Sequence, residues 1–267
     1  MIGQDKTIQL IRTWRMNKSV PRFIILEGDV GSGRLTLAKI IIKQINAIGV
    51  ICGNTIADVR QTIENAYTVT STTCYIFRDC DDMSIAAKNS LLKVVEEPPT
   101  NVYFIMTIKS VTNMLSTILS RATIVKVQPY TLNQLKEVTD DELILKYATN
   151  IGQAKEYEHA LLARTEIVCN DIYEALRNKK GVHILKHSTN LLAKETEEDK
   201  IPCSLFLKVF ETNLPLDIIT SHTLYILAAC KIEQKRATVN KKASIECMLI
   251  HMLEDLKNDA EVSETMG

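Results

Sequence analysis

Residues 75–99 read YIFRDCDDMSIAAKNSLLKVVEEPP. The run Cys74–Phe77 just ahead of them is apolar without alternation, the pattern of a strand buried on both faces. Arg78 and Asp79 end that run. Ser84 stands where its hydroxyl can cap a helix, apolar residues continue through Val95, and Pro98-Pro99 stop the helix. Strand, polar turn and helix in this order predict one repeat of a parallel α/β sheet.

Working outward, the same grammar recurs. A helix over 4–16 carries Ile8, Leu10, Ile11 and Trp14, and Pro21 separates it from a second buried strand, Phe23–Leu26. A glycine-rich turn leads into a helix over 35–48, and another helix is expected over 55–67. A third strand covers Val102–Ile108, followed by a short helix ending near Leu119 and a strand over 122–127. The alternation stops at Pro129. Beyond it the periodicity is only helical, with capping boxes expected at Thr131–Gln134 and Thr139–Glu142. Helices are expected over 152–163, 166–178, 181–193, 203–212, 216–231 and 236–257, with a polar linker at 194–200 and a frayed end from Asn258. The expected organisation is an α/β parallel-sheet domain over 1–129, a small helical domain over 130–194 and an all-helical domain over 195–267.

Composition narrows the class. In 267 residues, hydrophobic side chains make up 46% and charged ones 24%, which excludes a disordered chain, a collagen-like chain and a coiled-coil rod. An aromatic content of 5% argues against a rich base-stacking surface. The chain is neutral overall, but residues 1–130 hold 15 basic and 10 acidic side chains, a balance suited to the neighbourhood of phosphates. No apolar leader follows Met1 and no apolar run approaches membrane-spanning length, so a cytoplasmic protein without a membrane partner is expected. The seven cysteines form no C-x-x-C pair, which predicts reduced, buried thiols and no metal.

The chemistry centres on Gly28-Asp-Val-Gly31-Ser-Gly33-Arg34-Leu35-Thr36. Gly28 and Gly33 have the spacing of a phosphate-binding loop, whose backbone N–H groups and helix N-terminus cradle phosphate. The next two positions depart from that pattern. Arg34 replaces lysine, and Leu35 has no oxygen for Mg²⁺ where Ser or Thr is usual. Thr36 does carry a hydroxyl, but about 100° further round the helix. A nucleotide site also needs acids at the end of the second strand. Here the metal-binding position holds Arg78, which repels Mg²⁺, and only Asp79 remains. These residues predict weak or no ATP binding at the chain's own loop, and no tightly bound cofactor.

The stretch from Asp82-Met83 through Asn89-Ser-Leu-Leu-Lys93-Val-Val-Glu96-Glu97-Pro98, with Phe104–Thr107 and Thr117-Ile-Leu-Ser120-Arg121 after it, resembles the AAA+ subunits of DNA polymerase clamp loaders. Among these it is most similar to the delta-prime type of bacterial DNA polymerase III. The resemblance is dense over residues 1–130 and only architectural beyond. It implies an AAA+ P-loop domain, a helical lid and a helical collar that joins a ring of subunits. It implies that Ser120-Arg121 supplies an arginine finger in trans to ATP and Mg²⁺ held by a neighbour, with Ala122 where the family usually has cysteine. Thr107 falls at the γ-phosphate sensor position. The implied partners are gamma/tau and delta subunits, the sliding clamp indirectly, and the backbone of primer–template DNA. The alternative within the family is an ATP-hydrolysing motor subunit using Arg34 and Thr36. The family's zinc-binding cysteine cluster is missing, since Cys52 alone lies in that interval.

Overall fold

The computed structural model describes residues 1–184, 186, 201–220, 222–234 and 239–265. Five strands form one sheet: β1 (Phe23–Glu27), β2 (Ile48–Cys52), β3 (Thr73–Phe77), β4 (Val102–Ile108) and β5 (Thr123–Lys126). Their order is β2-β3-β4-β1-β5 and every pairing is parallel. The pleat explains the unbroken apolar runs. Phe23 and Ile25 face one helical layer while Ile24 and Leu26 face the other, so the covered part of such a strand is apolar without alternation.

The layer above Ile24 and Leu26 comes from α1 (Asp5–Met16), through Ile11, and α2 (Arg34–Gln44), through Leu37 and Ile41. The opposite layer comes from α3 (Ile56–Thr68), through Val59 and Ala66, and α4 (Ile85–Glu96), through Leu91 and Val94. Ser84 caps α4 by accepting the N–H of Ala87 at 3.2 Å. The short α5 (Ser116–Leu119) follows β4.

The chain differs from the sequence expectation in one strand. Helix α2 ends at Gln44, four residues short of the expected end, because Asn46 turns into the left-handed region at φ 52°, and β2 follows where no strand was expected. This strand lies at the sheet edge with its residues mostly exposed, although the run Ile48-Gly-Val-Ile-Cys52 is as apolar as a buried one.

The contacts divide the chain into two units, Met1–Asp140 with Ala148–Glu156, and Asp141–Tyr147 with Tyr157–Gly267. The first unit also contains α6 (Leu132–Lys136), with the expected Thr131/Gln134 capping box. The second begins at α7 (Glu142–Tyr147), whose first N–H groups at Leu143 and Ile144 are taken by Asp141, two residues beyond the Thr139 cap expected. Helix α8 (Ile151–Glu156) returns to the first unit. In the second unit α9 (His159–Arg177) runs through the break expected near 163–166. Thr165 there stays helical by donating its hydroxyl to the Leu161 carbonyl at 2.7 Å. Helices α10 (Cys203–Thr212), α11 (Thr223–Glu233) and α12 (Lys241–Thr265) complete it, the last extending through most of the end expected to fray. The linker at 194–200 and the end of the helix expected over 181–193 lie outside the described residues. No described helix is long and apolar enough to cross a membrane.

Cys74, Cys80, Cys169 and Cys230 are buried, Cys52 and Cys203 are partly so, and Cys247 is exposed, against the expectation that all seven are buried. Burial pushes the thiols of Cys74, Cys80 and Cys169 up to about 12. Native-state alkylation near pH 8 followed by peptide mapping should label Cys247 first and leave these three unlabelled. For the sheet, Ile25→Ala should cost about 2–5 kcal/mol in denaturant unfolding of the first unit. Ile51→Thr on the exposed β2 should cost less than about 0.5 kcal/mol.

Candidate functional site

The turn between β1 and α2 takes its shape from two glycines. Gly31 and Gly33 have φ of +84° and +95°, which L side chains rarely adopt. Three successive carbonyls of this loop are held by protein donors. Val30 accepts from Asn150 Nδ2 at 3.0 Å, Gly31 from the Gly152 N–H at 3.0 Å, and Ser32 from the Tyr130 hydroxyl at 2.8 Å. Burial raises the Tyr130 phenol above its ordinary value, so it stays protonated as a donor. The approach at Gly152 is backbone against backbone, and a Cβ there would lie 2.5 Å from the Gly31 Cα. This clamp joins Ala148–Glu156 to the first unit. Sequence reading missed Asn150 and Gly152. The available signal was a glycine at the start of an otherwise helical run, which marks a close backbone approach.

Arg34, the first residue of α2, is 7% exposed and donates from Nη2 to Asp79 Oδ1 at 2.8 Å, while Asp79 is 45% exposed. Asp79 adopts φ 50° immediately after β3, and its N–H donates to Thr107 Oγ1 at 2.9 Å. Thr107 thus holds the turn that presents Asp79. Arg78 is exposed and its carbonyl accepts from Asn54. Leu35 packs towards the apolar layer, and Thr36 is exposed. Gly28, Gly31, Gly33, Arg34, Thr107 and Asp79 therefore meet at the ends of β1, β3 and β4, whereas the hydroxyl of Thr36 faces away.

Ser32 Oγ and Arg34 Nη1 are buried without a hydrogen-bond partner. Such donors suit the oxygens of an anion. The same set does not fit Mg²⁺: Leu35 offers no oxygen, Arg78 is a cation, and Asp79 is already paired with Arg34. Cys80 is no nucleophile here, because burial foremost, with Asp81 and Asp79 nearby, keeps its thiol neutral.

The second cluster is Ser120-Arg121. Ser120 caps the end of α5 and donates its hydroxyl to the Thr117 carbonyl at 3.1 Å. Arg121, 32% exposed, donates to the same carbonyl at 2.9 Å and to Glu96 Oε1 at 2.9 Å. Buried Lys88 braces this region. It donates to the Asp81 carbonyl at 3.1 Å and the Asn113 carbonyl at 2.8 Å, tying α4 to the turns after β3 and β4. Asp81 in turn accepts the N–H groups of Lys109 and Ser110. Neither Lys88 nor Asp81 stands out in the sequence, because a buried lysine on a helix reads there as a solvated one.

A family model described as DNA polymerase III, delta subunit, matches residues 46–131. A Mycoplasma pneumoniae protein named uncharacterized protein MG007 homolog is 27% identical over 125 residues, covering 46% of this chain and 48% of that protein. The DNA polymerase III subunit gamma of Buchnera aphidicola is 26% identical over 223 residues, covering 72% of this chain and 60% of that protein. The chain thus spans about half the length of the first of these relatives and less than two thirds of the second. A Thermotoga maritima protein related to the DNA polymerase III gamma subunit shares the fold, with a TM-score of 0.56 and 18% identity over 92% of this chain and 99% of that one. The fold is that of AAA+ P-loop proteins, and the sequence similarities support the clamp-loader group of DNA polymerase III subunits.

Asp79→Asn tolerates the left-handed backbone and removes only the charge facing Arg34. Since Asp79 is half exposed, the loss should be about 1–2 kcal/mol in denaturant unfolding, below the full penalty for a buried pair. Combining it with Arg34→Met should recover much of that loss.

Proposed function

We propose that the chain is a non-motor, delta-prime-like subunit of a DNA polymerase III clamp loader. In this reading it scaffolds the ring and lends Arg121 to the ATP site of a neighbouring motor subunit. The observation that carries the reading is the Arg34–Asp79 ion pair, which engages the one acid left for water activation beside a loop with no Mg²⁺ ligand. The exposed guanidinium of Arg121 supports the other half. Arginine reaching a bound γ-phosphate from an adjacent subunit stabilises charge in the transition state. Its partners would be gamma/tau and delta subunits, the sliding clamp through the ring, and the DNA backbone. The exposed apolar residues Leu224, Tyr225 and Ile232 of α11 would contribute to the collar interface. ATP and Mg²⁺ would be held at the neighbour's site.

A motor-subunit reading has in its favour the gamma and gamma/tau names of the Buchnera relative and of a Mycoplasma pneumoniae relative. It requires Arg34 to leave Asp79 and Thr36 to turn inward.

In a clamp loader reconstituted with the ATPase subunits of the same organism, Arg121→Ala should slow hydrolysis at the interface it faces by about 10³-fold. The total ATPase should fall by that site's share, and Arg121→Lys should not restore it. Unchanged single-turnover hydrolysis in the Arg121→Ala complex contradicts the finger role.

A further inference from the structure

The arginine assigned as the finger is not free-standing. Its Nη1 donates to the Thr117 carbonyl and its Nη2 to Glu96 Oε1, each at 2.9 Å. Glu96 is the last residue of α4, and the backbone after it is stiff. The Glu97 N–H bonds to the Lys93 carbonyl, and Pro98-Pro99 restrict the following turn. Lys88 fixes the same helix to its neighbouring turns. The carboxylate is therefore presented from a rigid support at the edge of the guanidinium that a phosphate would use.

We propose that Glu96 is a positioning residue that latches Arg121 in reserve on its own subunit. This rests on the finger reading given above. Guanidinium has five donors in a planar fork and meets carboxylate and phosphate oxygens with the same geometry. The bond to Thr117 can persist while the Nη2 edge exchanges Glu96 for a γ-phosphate oxygen. Engagement then requires either breaking the ion pair or holding the Glu96 charge beside a polyphosphate, and both oppose it. The pair is half in solvent, with Arg121 32% and Glu96 55% exposed, so it is weak enough to release. Its effect is to make finger engagement depend on closure of the interface around bound ATP. That cost arises before chemistry and falls on the ATP requirement rather than on the saturated rate.

The test uses the reconstituted complex with Glu96→Gln, which keeps the shape and removes the charge. The ATP concentration at half-maximal rate should fall about two- to fivefold, the range of an exposed ion pair, with kcat unchanged. Glu96→Asp, which keeps the charge, should stay closer to the parent. In an Arg121→Ala background, Glu96→Gln should be silent. The latch is overturned if Glu96→Gln leaves the half-maximal concentration unchanged or raises it, or if the same shift appears without Arg121. The two ideas fail separately: an inert Arg121→Ala removes the finger and the latch together. A harmful Arg121→Ala with an inert Glu96→Gln removes the latch alone.

Discussion

A guanidinium that is 93% out of solvent must find a counter-charge, and for Arg34 that partner is Asp79. Much of the site follows from this constraint. Asp79 has to leave β3 in a left-handed conformation to reach Arg34, and Thr107 at the end of β4 holds that turn by accepting its N–H. The loop that starts α2 is fixed from the other side by Asn150, Gly152 and Tyr130. The glycine loop is thus ordered by contacts from its own protein. Ser32 Oγ and Arg34 Nη1 are left unpartnered there, and the guanidinium N–H suits an anion.

The two arginines are set differently by the same fold. Arg34 is buried and paired with an acid of its own site, so its charge is engaged internally. Arg121 is partly exposed and held by a solvent-accessible carboxylate, so its charge can be transferred to another partner. Arg34 follows β1 at the C-terminal edge of the sheet, where ligands of open parallel sheets are bound, whereas Arg121 precedes β5 and lies towards the N-terminal edge.

The legible parts of the fold are those where burial leaves no choice of residue. β1, β3 and β4 carry unbroken apolar runs because helices cover both faces, and α4 is bounded by Ser84 and by Pro98-Pro99. β2 was not legible although Ile48-Gly-Val-Ile-Cys52 is apolar, because the expected helix ran on through Ile48 and left only a short remainder. The single helix α9 was read as two, and its first part was joined to α8, because helical periodicity alone does not mark where one helix ends and the next begins. At the site, Gly28, Gly31, Gly33, Arg34 and Asp79 stood in recognisable spacing, yet spacing gives no hint that Arg34 and Asp79 face each other. Asn150 and Gly152 lie about 120 residues downstream of the loop that they hold, and local pattern does not reach that far. Glu96 was visible only as one acid of a Glu-Glu-Pro-Pro run, with no sign of the arginine 25 residues on.

The central claim is that the chain's own loop does not support magnesium–nucleotide chemistry. Calorimetric titration of the purified chain with ATP, with and without Mg²⁺, tests it most directly. The account predicts that Mg²⁺ gives no gain in affinity and that any binding of the bare polyphosphate is weak. Micromolar binding that requires Mg²⁺ would contradict it, because Leu35, Arg78 and the paired Asp79 would then have to yield a metal site that their chemistry does not offer.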